Sequence, residues 1–440
     1  MKDDKNAIYK EINDYLDEIQ IISTHEHIER EEERNKKELN FFYLFPHYIS
    51  SDLLKCGMPE NVFLKLGEEN VDFNQIWKYF IKYWQMVENT TYARVIKIIL
   101  KDLFNITEVN KKNAETVTDM LNKTNKSGYY KKILKDKCNL KTSILDLLEV
   151  SSKDYRSFSL IDKSLFSPVM KFDDFININS AKILNKFERE DNFSIHSFKD
   201  YEELFENRFK YFLNNGAIGI KIAISYFRTL NIEKFSRSDA EKSFNKLLNT
   251  RIDRIMIDHE HEAISATEIK PFQDYILYKL IDLAEEFKLP VQIHTGFLEG
   301  SGNYVNNSNP ELLIPIFMEF EKVNFDIFHL SWPYTSNIIS IVKMFRNVYI
   351  DFCWSHIVSE RLARDALEVC IQAIPLTKIF AFGGDYLIVE GTYAHLRIAK
   401  ENIANVLTDM ISSKRIDLKL AYRITDMILN KNISNIFNIS

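Results

Sequence analysis

The sequence predicts an α/β fold, a (β/α)8 TIM barrel with a helical insertion after strand 1. Three observations predict it. Eight short runs of apolar, β-branched or aromatic residues are spread along the 440 residues, each of a length suited to a buried strand. From the fourth run onward, amphipathic helical patterns fill the gaps, an alternation that builds parallel βα units. Residues able to bind a metal or move a proton fall at or just past the ends of several runs, the edge on which such barrels carry their sites.

The N-terminal segment MKDDKNAIYKEINDYLDEI reads as a charged amphipathic helix without the apolar centre of a signal peptide. Strand candidates follow at 19–24, 142–147, 166–172, 217–225, 290–294, 325–329, 348–352 and 379–382. The first two are separated by about 115 residues, far more than a βα connection needs. In that gap Ile76, Trp77, Phe80, Ile81, Trp84 and Val87 recur at helical spacing, and shorter polar helices follow over 107–138. Trp77 and Trp84 are read as core at that spacing rather than as substrate contacts. The chain thus divides into an N-terminal helix with strand 1 (1–34), a helical insertion covering the barrel mouth (35–139) and the remainder of the barrel (140–440). Later helices are expected at 274–287, 310–320, 335–345 and 360–373.

Hydrophobic content of 45% and charged content of 27% describe an ordinary globular protein. A net charge of −6 without a basic stripe argues against a nucleic-acid partner, and no run of 18 apolar residues argues for a membrane span. The four cysteines are scattered without a CxxC, so they read as reduced and structural in a cytoplasmic protein. A small-molecule substrate is the expected partner, with room left for a homo-oligomer.

The sharpest motif is His25-Glu26-His27, at the end of the first strand. Residues two apart in a strand share a face, so the two imidazoles can converge on one ion. His294 in VQIHTGF, His329 in FDIFHLSWPY and Asp385 in IFAFGGDY follow later strands in the same way. Imidazoles with one carboxylate make a typical Zn2+ site with a position open to water. A second copy, His259-Glu260-His261, lies among acidic residues and reads as a solvated charged segment. Only 11 residues are glycine, and eight of them (Gly216, Gly219, Gly296, Gly300, Gly302, Gly383, Gly384 and Gly391) set tight turns beside Lys221, His294 and Asp385. Lys221, between Ile220 and Ile222, is either an outward lysine capped by a helix carboxylate or a cation of the site. Tyr226 and Arg228 after the fourth strand either engage a substrate carboxylate or form a packed ring and a surface salt bridge. Trp332, just past His329, is a candidate for the pocket wall. His47, His196, His356 and His395 have no spacing argument and read as structural.

Taken together, HxH on strand 1, Lys221 on strand 4, His294 and His329 on strands 5 and 6 and Asp385 on strand 8 resemble the amidohydrolase superfamily. GIKIAISYFR, LPVQIHTGFLEG, FHLSWPYT and NVYIDF, within 216–392, resemble its amidohydrolase-related (type 2) branch, and there the amidohydrolase domain fused to glutamine-synthetase-like domains. The long insertion with Tyr92-Ala93-Arg94 is similar to uronate isomerases, whereas GGDY departs from their usual Asp followed by Ser-Arg. The resemblance implies one or two divalent ions, Zn2+ or else Mn2+, held by His25, His27, His294 and Asp385. It further implies Asp385 as proton acceptor, His329 as ligand of a second ion or holder of substrate oxygen, and Lys221 as a carboxylated bridge or a cation facing substrate. The implied activity is metal-dependent hydrolysis of a C–N or C–O bond of a small polar metabolite. Uronate aldose–ketose isomerisation and decarboxylation are the alternatives.

Overall fold

Eight parallel strands form the barrel: β1 (Ile21–Glu26), β2 (Leu140–Leu145), β3 in two stretches (Phe166–Pro168 and Met170–Lys171), β4 (Ile220–Ile222), β5 (Val291–Ile293), β6 (Phe325–Ile327), β7 (Val348–Asp351) and β8 (Ile379–Phe380). The computed structural model describes residues 2–45, 47–66, 72–252, 264–300 and 302–440. Each strand pairs in parallel with the next in sequence order. At Val169 the two stretches of β3 hand over from one neighbour to the other, Val169 N donating to Leu145 O and Met170 N to Gly219 O, both at 3.0 Å. The ring closes where Thr24 N donates to Phe382 O at 3.0 Å and Asp385 N to His25 O at 2.8 Å.

Every sequence candidate overlaps one strand; β1 and β2 keep the expected length but are displaced by two residues, and the other strands are shorter. The run 217–225 is a strand only over Ile220–Ile222 and turns at Ile224–Tyr226. The reason is local: Ala223 N donates to the Asp173 carboxylate at 2.8 Å rather than to a neighbouring strand. The strands are buried on both faces, which suits the runs of Ile, Val and Phe that compose them. Helix Glu360–Ala373 lies where its pattern places it, whereas helix Ala266–Phe287 begins earlier, at a cap where Ser265 accepts from Glu268 N.

The insertion is helical, with Tyr48–Lys55, Glu60–Leu66, Phe73–Val87, Thr91–Phe104 and Lys111–Thr124 as its main elements. Trp77 and Trp84 are buried in its core with Phe41, Phe45 and Phe80, and that core runs on into the barrel mouth through Phe328, Trp354 and Tyr386. The opposite end of the barrel is sealed by helix Asn432–Phe437, whose Ile433 and Phe437 pack on Ile22, Ile144, Val169 and Phe380. The barrel therefore opens toward the insertion, on the side where the strands end. His259 and His261 lie outside the described residues. Among the described residues no helix is long and apolar enough to cross a membrane.

Candidate metal centre

The closing register of the barrel brings the ends of β1 and β8 together. His25 and His27 project to one face, their Nε2 atoms 3.3 Å apart. Asp385 Oδ1 lies 3.3 Å from His27 Nε2 and 3.8 Å from His25 Nε2. Its backbone is left-handed, with φ of 54°. The turn before it needs glycine, because a Cβ on Gly384 would lie 2.0 Å from Glu26 Oε1. Glu26 faces away from the two histidines and accepts from Ser23 Oγ at 2.7 Å, Tyr386 N at 3.1 Å and Thr392 Oγ1 at 2.9 Å. The middle residue of the motif thus fastens the strand-8 turn that carries Asp385. Burial pushes its carboxyl up to about 8 against those hydrogen bonds.

His329 joins the centre from β6, its Nε2 3.9 Å from Asp385 Oδ2. Two overlapping donor groups result, His25–His27–Asp385 and His329–Cys353–Asp385, each with its ligand atoms within 4.8 Å of one another. His294 stands beside them rather than in either group. Its Nδ1 is 3.0 Å from His329 Nε2 and its Nε2 is 2.9 Å from Phe297 O.

Neighbouring carbonyls fix the tautomers. His329 Nδ1 donates to Cys353 O at 2.8 Å and His294 Nε2 to Phe297 O at 2.9 Å. Each ring then turns its lone pair toward the other across 3.0 Å. Two lone pairs that close repel unless a proton or a cation lies between them. Burial drives both imidazoles well below their ordinary range, His329 to about 4, which disfavours the proton. His27 is oriented in the same way, with its Nδ1 3.0 Å from Asp146 O and its Nε2 toward Asp385. Carbonyl acceptors behind imidazoles are how metal ligands are held in place. Asp385 itself, lifted by burial, is held well below the carboxylate range by His25, His27 and His329. The residues present fit a divalent ion.

Lys221 is buried and faces the cavity, with its ammonium 3.5 Å above the Phe328 ring centre. Burial pulls its pKa down while Asp385 opposes the shift. The outward-facing reading of this lysine is set aside by that position. Tyr226 also lines the cavity, its hydroxyl accepting from Glu299 N at 3.2 Å and its ring 4.7 Å from His294.

Residues 259–432 match the family model for amidohydrolases. That stretch, rather than the whole chain, is where the likeness to amidohydrolases lies. The chain is 21% identical over 266 residues to Protein fluG of Emericella nidulans, a match that takes 57% of this chain but 30% of that relative. The chain therefore aligns with less than a third of the relative's length. Its fold is similar to a uronate isomerase from Thermotoga maritima (TM-score 0.78, 13% identity, 98% of this chain and 97% of that one). It is likewise similar to a glucuronate isomerase from Caulobacter crescentus (0.76, 16%, 99% and 95%). A protein described as a metal-dependent hydrolase, from Lactobacillus casei, shares the fold at 0.67 and 14% identity, over 97% of both chains.

Two expected substrate contacts lie elsewhere. Arg228 pairs with buried Asp274 at 2.6 Å and donates to Gln273 Oε1 at 3.1 Å, so its guanidinium is committed to helix Ala266–Phe287. Trp332 packs edge-on against Phe297, with ring centres 5.2 Å apart, and stays off the cavity lining. Trp354 takes the wall instead, its ring 5.2 Å from His329. Cys353 and Trp354 lie just past the end of β7, beyond Phe352, so the strand-end rule applied to that strand would have found them. The same rule at β2 and β3 finds Asp146 and Lys171, paired at 3.3 Å on the cavity wall. His47 also lines the cavity, stacked on Tyr48 at 3.9 Å, and no strand-end signal points to it because it belongs to the insertion. His356 and His395 are structural, each against a backbone carbonyl at 2.9 Å, and His196 is exposed.

Proposed function

We propose that this chain is a metal-dependent hydrolase that cleaves a C–N or C–O bond of a small metabolite. The facing lone pairs of His294 and His329, beside an aspartate shared by two donor groups, carry the reading. His25, His27 and Asp385 would hold one divalent ion. His329 and Cys353, with His294 alongside, offer donors for a second. Imidazole and carboxylate suit Zn2+ or Mn2+, and a thiolate in the set favours Zn2+. When bound, such an ion supplies Lewis acidity toward a carbonyl and acidifies water to a pKa of about 7.

The side chains supply the rest. Asp385, an anion in this setting, accepts the proton of the attacking water and returns it to the leaving group. Lys221 places a donor in the same cavity for a substrate carboxylate or a developing oxyanion, and Tyr226 holds Glu299 in the wall opposite. The same reading has the enzyme act in the cytoplasm on a small molecule, with no nucleic-acid or membrane partner, alone or as a homo-oligomer. Its net charge of −6 supports that choice of partner.

Uronate isomerisation is the second reading, favoured by the whole-chain fold likeness to uronate isomerases. Metal-loaded protein incubated with glucuronate and galacturonate, followed by carbohydrate NMR, separates the two. A panel of amides and esters should be hydrolysed, chelation should stop turnover, and Zn2+ or Mn2+ should restore it. Turnover indifferent to chelators, or interconversion of the uronates, overturns the hydrolase reading.

A further inference from the structure

A second cavity, of about 390 Å3, lies between the helical insertion and the barrel mouth. It shares His27, Leu148 and Leu387 with the cavity of the metal centre, which holds about 480 Å3. A molecule seated at His27 and Asp385 can therefore extend past Leu148 and Leu387 without leaving the protein. The walls of the annex differ from those of the centre. Leu39, Phe42, Leu66, Leu147 and Ile388 line it and are buried. Of its charged lining residues, Glu29 pairs with Lys37 at 2.6 Å and Glu149 with Arg30 at 3.0 Å, while Glu38 is exposed. Most of what the annex offers a ligand is apolar surface, with the Tyr43 hydroxyl unpartnered among its lining residues.

We propose that the annex binds an apolar substituent of the substrate, so that the substrate is an amide or ester carrying a medium-length alkyl or aryl group. The inference rests on the hydrolase reading and narrows it. A sugar acid would bring hydroxyls against Leu39, Phe42 and Ile388, which return no hydrogen bond. A hydrocarbon chain gains from the same walls, about fourfold in affinity for each methylene withdrawn from water. A volume of this size lies in the range of ordinary small-molecule pockets.

Straight-chain hydroxamates, which chelate divalent metals and differ only in tail length, test the assignment. Binding of acetohydroxamate, butyrohydroxamate, hexanohydroxamate and octanohydroxamate to the full, Zn2+-loaded chain is measured by calorimetry. Affinity should rise about fourfold per methylene until the annex is filled. Leu148→Glu puts a charge at the junction of the two cavities and should flatten the series while acetohydroxamate still binds. Leu148 is 40% exposed, so the change removes no core packing. Leu66→Phe, which narrows the annex, should end the rise at a shorter tail. A series flat in the unaltered protein, or a rise that Leu148→Glu leaves intact, overturns the annex alone. Failure of acetohydroxamate to bind the Zn2+-loaded chain overturns the hydrolase reading and the annex with it.

Discussion

Asp385 is the residue on which the site turns, because both donor groups use its carboxylate and both depend on where its backbone is held. Asp385→Asn keeps the shape and removes the anion, so turnover should fall by about 10²–10⁴. Bound metal, measured by elemental analysis, should fall as well. Unchanged turnover would remove Asp385 from the proton path. Cys353 makes a separate prediction. Cobalt-loaded protein should show a near-ultraviolet thiolate-to-cobalt absorption that Cys353→Ser lacks; its absence from the unaltered protein would confine the metal to the HxH group. At this scale the sequence was legible where a residue directly follows a strand, as His27 and His294 do, or where glycines mark the turn that carries it, as at Asp385. It was misleading where the backbone turns before the side chain projects. Arg228 follows the turn at Ile224–Tyr226 and is aimed at Asp274, and Trp332 follows three consecutive left-handed residues, His329, Leu330 and Ser331, that redirect the chain. Those turns depend on close contacts between distant segments, such as Gly296, where a Cβ would lie 2.2 Å from Ser331 C, and a single stretch of sequence does not show them.

At the scale of elements, periodicity located the eight strands and most helices, because burial imposes it and burial is what composition records. Ends were less legible, since a cap or a side-chain acceptor sets them. The helical pattern reads as one run over 73–103, yet the chain forms two helices, Phe73–Val87 and Thr91–Phe104. Thr90 opens the second by accepting from Ala93 N at 3.2 Å. Thr90→Ala removes the acceptor and should cost about 1 kcal/mol in urea denaturation, whereas Thr90→Ser should cost far less. The second helix packs against Val389–Ser412, which follows Asp385 in the chain. Equal stability of the alanine and serine variants would mean that tertiary packing alone ends the first helix and starts the second.

For the whole molecule, the barrel interior holds two opposed sets of buried titratable groups, and their balance sets how the metal-free protein responds to pH. Six histidines are depressed by burial: His25 and His294 well below 6.5, His47, His329 and His356 to about 4, and His395 to about 3. Four carboxyls are raised by burial: Asp326 well above its usual range, Glu26 to about 8, Asp351 to about 7 and Asp173 to about 6. Between pH 4.5 and 6.5 the unfolded chain binds protons on six histidines that the native protein refuses. The native protein in turn keeps protons on at most four carboxyls that the unfolded chain has lost. The unfolded state binds more protons overall, so stability rises with pH through this window. Above 6.5 the histidines are neutral in both states. Glu26, Asp326 and Asp351 still hold protons only in the native state, so stability falls as pH climbs toward 8. Unfolding midpoints of chelator-treated protein should therefore peak near pH 6.5. Glu26→Gln, which cannot titrate, should flatten the decline between 6.5 and 8 whatever it does to absolute stability. A midpoint that keeps rising to pH 8, or a decline unchanged in Glu26→Gln, would show that Glu26 is ionised as it fastens the strand-8 turn, and that its anion is offset by the donors of Ser23, Tyr386 and Thr392.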